Sequence, residues 1–333
     1  MLMLSKRFFI IFIESLFYKI FIKQFNTIRE PGDLMVNEFN LLRKAISYKT
    51  TESWTTIPYI TFIYEADATE MLNEFDSLKE KRPDLKLTIN TLLLKIFVEA
   101  IKAAPQVNAH IKYNSKWVTG KVEVIKNINI SMPWVLENGC IVVVNLRNFE
   151  DKTLVEMQKY INDTAQKIHN CNIHIPLYRV AVGIIIDEMK KGQILKALRA
   201  FIGTFFDKTK PSKKDFKEYD KISLNDKILP IDLQPGTITI SNVGSVCKGL
   251  NGFLGVLEII PPQVFAIGIG SVQEKPCVIT NTNNEKTIGI RKIIPLCLAV
   301  DHRALNFGEI VPFIQKLEHI FKHNELLREW YSK

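Results

Sequence analysis

The sequence predicts an α+β fold, an α/β two-layer sandwich in which helices pack on a mixed sheet. Three observations lead there. Apolar residues fill 47% of 333 positions and charged residues 24%, the balance of a globular domain with a sizeable core. Strand-like and helix-like segments are interspersed without regular strand–helix–strand alternation, which points away from an all-parallel sheet. Beyond the turn cluster Arg-Glu-Pro-Gly-Asp at 29–33, no natural linker divides the chain. Residues 34–333 therefore read as one domain, preceded by a hydrophobic and basic extension over 1–33.

The elements follow in order. Residues 40–48 read as a helix, and 58–66, rich in β-branched and aromatic side chains, as a strand. A polar-faced helix covers 68–81. A strongly apolar one covers 88–104, where Leu92, Ile96, Ala100 and Ala103 share a face and Pro105 ends the run. Segments 109–113 and 117–124 flank Asn114-Ser115, a hairpin signal. Segment 127–134 alternates, Glu137-Asn138-Gly139 is a tight turn, and 140–146 is a continuous apolar run suited to a buried strand. An amphipathic helix is predicted over 153–170. A helical and charged insertion, 184–229, follows: an apolar-basic helix over 184–206, then a charged loop over 207–229. Strands resume at 236–242, 264–272 and 288–300. A last helix spans 307–323, with Ile310, Phe313, Ile314, Leu317 and Phe321 on one face.

Charge and cysteine usage narrow the function. The net charge is +9, but no basic stretch is interleaved with aromatics as in base-stacking proteins, so nucleic acid is not an expected partner. The densest lysine run, 208–221, is interrupted by Asp215, Glu218 and Asp220 and reads as solvated surface. A positive excess also suits a phosphate-bearing substrate. The five cysteines are scattered and form no CxxC pair, which fits a reducing, cytoplasmic setting rather than a disulfide framework. In residues 1–24 the longest uncharged apolar run is 8–13, too short to span a bilayer. Two readings of that segment stand: a helix packed on protein, which is favoured, and a contact with a membrane surface.

Two segments carry chemistry. In Asp301-His302-Arg303 an apolar strand ends and a helix begins. A histidine held there suits general-base work, because its pKa lies near operating pH. In Thr-Ile-Ser-Asn-Val-Gly at 239–244 a strand delivers Ser241 to a glycine turn, where its hydroxyl could donate to a developing oxyanion. Each alone also reads as structural. His169, Cys171 and His174 fit no common zinc spacing, and His319 and His323, one helical turn apart as in a metal pair, have no third ligand nearby, so no metal is expected.

Together the segments resemble the catalytic domain of the dihydrolipoamide acyltransferases of 2-oxo acid dehydrogenase complexes, within the chloramphenicol acetyltransferase-like superfamily. That family closes on Asp-His-Arg, two residues, Asp or Asn, then Gly. Here Asn306 takes the polar position and Phe307 stands where glycine is usual. Ile-Ile-Pro-Pro-Gln at 259–263, Gly268-Ile-Gly270, Leu-Arg-Lys-Ala-Ile at 42–46 and Pro-Gln-Val-Asn at 105–108 resemble further family segments. The resemblance implies the CoA-dependent acyltransferase fold and acyl transfer from acyl-CoA, or another pantetheine or lipoyl thioester, to a small acceptor. It makes His302 the general base, Ser241 the oxyanion donor and Asn306 a supporting residue. It implies homotrimers, or multiples of trimers, with His302 and Ser241 meeting across a subunit boundary. No lipoyl domain is recognisable, so no lipoyl group is expected on this chain, and a separate lipoyl or acyl carrier protein is the partner that would replace it. The rival expectation is a non-catalytic trimeric scaffold or binding relative of the same fold. If the family glycine needs a left-handed backbone, Phe307 would shift the helix start by one residue.

Overall fold

The computed structural model describes residues 39–136, 139–205, 210–247 and 249–332. The extension 1–33 and the Glu137-Asn138 part of the predicted turn lie outside them. In chain order the elements are α1 (Leu41–Thr56), β1 (Tyr59–Asp67), α2 (Thr69–Lys81), α3 (Ile89–Ala103), β2 (Ala109–Asn114), β3 (Thr119–Val124), β4 (Ile130–Val135) and β5 (Ile141–Leu146). Then come α4 (Leu154–Asn170), α5 (His174–Lys190), α6 (Ile194–Phe205), α7 (Lys213–Lys221), β6 (Ile238–Asn242), β7 (Phe265–Ile269), β8 (Gln273–Thr280), β9 (Lys286–Asp301), α8 (Phe307–Lys322) and α9 (Leu326–Ser332).

Side chains explain where the helices start. Asn40 accepts the Arg43 amide at 2.8 Å and Thr88 accepts that of Thr91 at 3.2 Å. Thr153 and Glu156 close a reciprocal capping box on α4, as Ser212 and Asp215 do on α7. The second box overturns the loop expected over 207–229: its serine–aspartate spacing is a helix-start signal inside the lysine run. The predicted single helix over 184–206 is two, because Gly192 takes φ +71° between α5 and α6. The hairpin turn is also longer than expected, since Val118 sits at φ +50° and pairing resumes only at Thr119. Strand β8 and helix α9 were not anticipated.

The sheet is mixed and seven-stranded, in the order β1-β9-β7-β6-β4-β5, with β8 pairing the N-terminal half of β9. β4, β6 and β7 run parallel; β9 lies antiparallel to both β1 and β7. α3 is buried along most of its length and sits at the centre of the helical layer with α8 and α4. Phe265 of β7 meets Phe313 of α8 edge to face at 5.2 Å, one of the contacts that joins layer to sheet. Alternation along β6 decides what faces the site. Ile238 and Ile240 enter the helical core, so Thr239 and Ser241 point to the opposite face. There Ala266 and Ala299 pack with Ile57 and Ile259.

Candidate active site

His302 stands in the turn between β9 and α8, held from several sides. Its backbone N–H donates to Pro58 O at 3.1 Å, and the Ala304 and Leu305 amides donate to Asp301 O at 3.0 and 3.1 Å. Its ring Nδ1 lies 3.0 Å from Leu305 O. A carbonyl only accepts, so Nδ1 carries the proton and Nε2 keeps its lone pair. The ring is exposed, which leaves Nε2 open to an incoming group.

The neighbouring residues form a clamp that reasoning on single motifs missed. Asp301 is fully buried and receives Arg303 in a two-pronged pair, with Nη2 to Oδ2 at 2.7 Å and Nε to Oδ1 at 3.0 Å. The Arg303 amide also donates to Asp301 Oδ1 at 3.0 Å, and the guanidinium lies 5.2 Å from the Tyr113 ring centre. The only available signal was the position of Asp and Arg on either side of His302.

Asn306 is the N-cap of α8, and its backbone N–H donates to the Glu309 carboxylate at 2.8 Å. The expected one-residue shift does not occur: α8 begins at Phe307, which is not among the positive-φ residues. Phe307 instead packs edge to face on Phe62 at 5.5 Å, so the missing glycine causes no backbone strain.

Ser241 ends β6, half-buried, and its hydroxyl has no hydrogen-bond partner among the described residues. The turn after it is fixed: Asn242 accepts the Ser245 amide at 3.0 Å and donates to Asn90 at 3.1 Å. Gly244 is required because a Cβ would stand 2.3 Å from Gly270 O.

Within one chain the two candidate residues are far apart. Ser241 is level with Gly268 on β7, and Gly268 with Cys297 on β9. His302 stands beyond Cys297 along β9. At about 3.3 Å per residue and about 4.8 Å per strand, their Cα atoms are ~19 Å apart, more than both side chains can bridge. A cavity of about 360 Å³ beside Trp134, Leu136, Ile168 and Cys171 contains neither residue. Among the described residues no three His, Cys, Asp or Glu side chains group as metal ligands. The His319 and His323 rings lie 4.2 Å apart, tilted by 39°, with His323 paired to Glu325.

The family model for 2-oxoacid dehydrogenases acyltransferase (catalytic domain) matches residues 32–176 and 211–328. The chain belongs to that family. The match lapses over 177–210, most of α5 and all of α6. Among curated relatives, the lipoamide acyltransferase component of the branched-chain alpha-keto acid dehydrogenase complex of Bacillus subtilis is 25% identical over 80% of this chain and 47% of its own length. The chain spans about half the length of the curated relatives it matches. Two solved structures share the fold. A probable dihydrolipoamide acetyltransferase from Listeria monocytogenes has a TM-score of 0.60 at 20% identity, covering 89% of this chain and 97% of that one. The Azotobacter vinelandii dihydrolipoamide acetyltransferase has a TM-score of 0.59 at 18% identity, covering 89% and 95%. Its crystallographic and enzymatic study concerned one serine, one histidine and one asparagine in the catalytic mechanism.

Proposed function

We propose that this family member transfers an acyl group between coenzyme A and a thiol acceptor of the dihydrolipoyl class, the class named in its relatives. The carrying observation is the His302 ring, with Nδ1 anchored on Leu305 O and Nε2 open. Nε2 takes the proton of the attacking thiol, whose sulfur adds to the thioester carbonyl carbon. The Ser241 hydroxyl donates to the oxyanion, a contact worth about 3–4 kcal/mol in comparable sites. The tetrahedral adduct collapses, the C–S bond to the leaving thiolate breaks, and that thiolate takes the proton back from His302. No covalent enzyme intermediate is needed.

Because Ser241 and His302 of one chain are ~19 Å apart, a complete site takes His302 from one subunit and Ser241 from the next. A cyclic homotrimer supplies such a heterologous, closing interface. Asn306 follows His302 by four positions, the spacing between the histidine and asparagine studied in the Azotobacter relative. This supports a positioning role for Asn306 at the base of the histidine turn.

Release of the coenzyme A thiol from a panel of acyl-CoAs, with coenzyme A separated from the dihydrolipoamide acceptor by chromatography, tests the reading. His302→Ala should lower kcat by about 10²–10⁴-fold with the fold intact. Full activity in His302→Ala would remove the general-base role. Absence of turnover and of CoA binding in the wild type would leave the scaffold reading instead.

A further inference from the structure

An oxyanion donor works only where its oxygen stands about 2.7–3.1 Å from the forming charge, and a misplacement of about 1 Å can cost ~10²-fold in rate. The Ser241 hydroxyl has no hydrogen-bond partner among the described residues, so its place is set by the backbone that carries it. That backbone is supported unevenly. On one flank β7 stays paired to the end of β6, with Ser241 level with Gly268 and Asn242 with Ile269. On the other flank the pairing with β4 stops at Ser131 and Thr239. A side-chain tie takes over there. Asn242 lies on the helical face of β6 with Ile238 and Ile240, opposite Ser241, and its Nδ2 donates to Asn90 Oδ1 of α3 at 3.1 Å. The Ser245 N–H fixes which end of the amide does this: it only donates, and it takes Asn242 Oδ1 at 3.0 Å. Asn90 Nδ2 lies 3.6 Å from Met132 Sδ on β4, so Asn90 bridges the two strands where their ladder has ended. The first turn of α3 is itself pinned, because buried Gln158 of α4 accepts the Thr88 amide at 3.0 Å and the Thr91 hydroxyl at 2.6 Å.

We propose that Asn90 is a positioning residue for the oxyanion donor. Through Asn242 it holds the end of β6 to α3 on the flank that β4 leaves open, and so fixes where the Ser241 hydroxyl stands. The hold comes from the sheet face opposite Ser241, which leaves the serine's own face to substrate. This role rests on the one proposed for Ser241 in acyl transfer. Without the Asn90 acceptor, Asn242 keeps its bond to the Ser245 amide, but β6 loses its tie to α3 and Ser241 spends time where it donates poorly. Asn90 touches no reacting atom, and its effect passes through Ser241.

Release of the coenzyme A thiol from acyl-CoA by the full chain tests the proposal. Asn90→Ala should lower kcat about tenfold and leave the KM for acyl-CoA unchanged, because the oxyanion exists only in the transition state. Made in Ser241→Ala, the same change should cost less than about twofold, since the group it positions is gone. Alanine suits a helix better than asparagine does, so melting temperature and oligomer size should hold. Asn90→Asp keeps an acceptor oxygen, at a helix start that favours a carboxylate, and should stay within about threefold of the wild type. Wild-type kcat in Asn90→Ala overturns the proposal. So does an equal loss with and without Ser241, which would make Asn90 a structural residue, or an Asn90→Asp as slow as Asn90→Ala. A wild type without turnover, or Ser241→Ala at full activity, would instead remove the role of Ser241 and that of Asn90 with it.

Discussion

Mixing two inactive variants should restore activity. His302→Ala removes the base and leaves Ser241 intact; Ser241→Ala does the reverse. Each alone should be slow: about 10²–10⁴-fold for the base and about 10²–10³-fold for the oxyanion donor. The register of β6, β7 and β9 puts the two residues ~19 Å apart in one chain, so the proposed site draws on two chains. In a cyclic trimer assembled at random from equal amounts, a site is intact only when one subunit keeps its histidine and the next keeps its serine. That occurs at about one site in four, so the mixture should recover about 25% of wild-type thiol release. The assay is unfolding and co-refolding, or co-expression with different affinity tags, followed by the same thiol readout. A mixture no faster than the sum of its variants, in verified mixed oligomers, would refute the shared site and with it the pairing of Ser241 with His302.

Two further outcomes follow from groups around that site. Arg303→Met strips the cation from fully buried Asp301 and should cost about 3–5 kcal/mol in urea denaturation, because an uncompensated buried carboxylate remains; a loss below about 1 kcal/mol would mean that the pair does not hold the turn. Burial lowers the His110 pKa from its ordinary 6.5, opposed by the Gly236 carbonyl at 3.3 Å. Its folded pKa being the lower one, the unfolded chain binds more protons, so this stability is complete above pH 6.5 and lost as pH falls through 6.5 toward the folded value. The melting temperature should fall with pH across that window, less steeply in His110→Gln; equal slopes would remove His110 as the cause.

The parts of this structure that were legible in sequence are those governed by local rules. Residues 88–104 announce α3 through apolar spacing and Thr88, and the run ending at Val300 announces a central strand. What escaped depends on partners distant in sequence or on rules that compete. Strand β8 was obscured because both its faces mix polar and apolar residues, Glu274 and Thr280 with Val278 on the exposed one and Gln273 and Lys275 with Cys277 and Ile279 on the other, so no alternation stands out. Helix α7 was obscured by charge density, although Ser212 and Asp215 spell its start. The position of His302 in a turn was legible, but its tautomer was not, since that depends on the Leu305 carbonyl closing back on Nδ1. Phe307 misled for a related reason: a glycine position suggests backbone need, whereas φ there is ordinary and Phe62 supplies a packing partner.

The same antiparallel geometry that makes β9 a good anchor for His302 prevents it from meeting Ser241 in its own chain. β9 is the longest strand among the described residues, paired on both sides near its end, so Asp301 and the histidine turn are carried on rigid backbone. β6 and β7 run the other way relative to β9 and deliver Ser241 toward the opposite end of the sheet. A sheet of this register therefore places the proposed base and the proposed oxyanion donor at opposite ends. Each becomes useful only when the end of one sheet is laid against the opposite end of another. Rotation about a threefold axis makes that contact once per subunit and closes after three, which uses both ends of every chain and leaves no half-site unpaired. Oligomerisation in this reading is not added to a finished enzyme. It follows from strand direction, and loss of the interface should remove kcat while leaving the fold of each subunit intact.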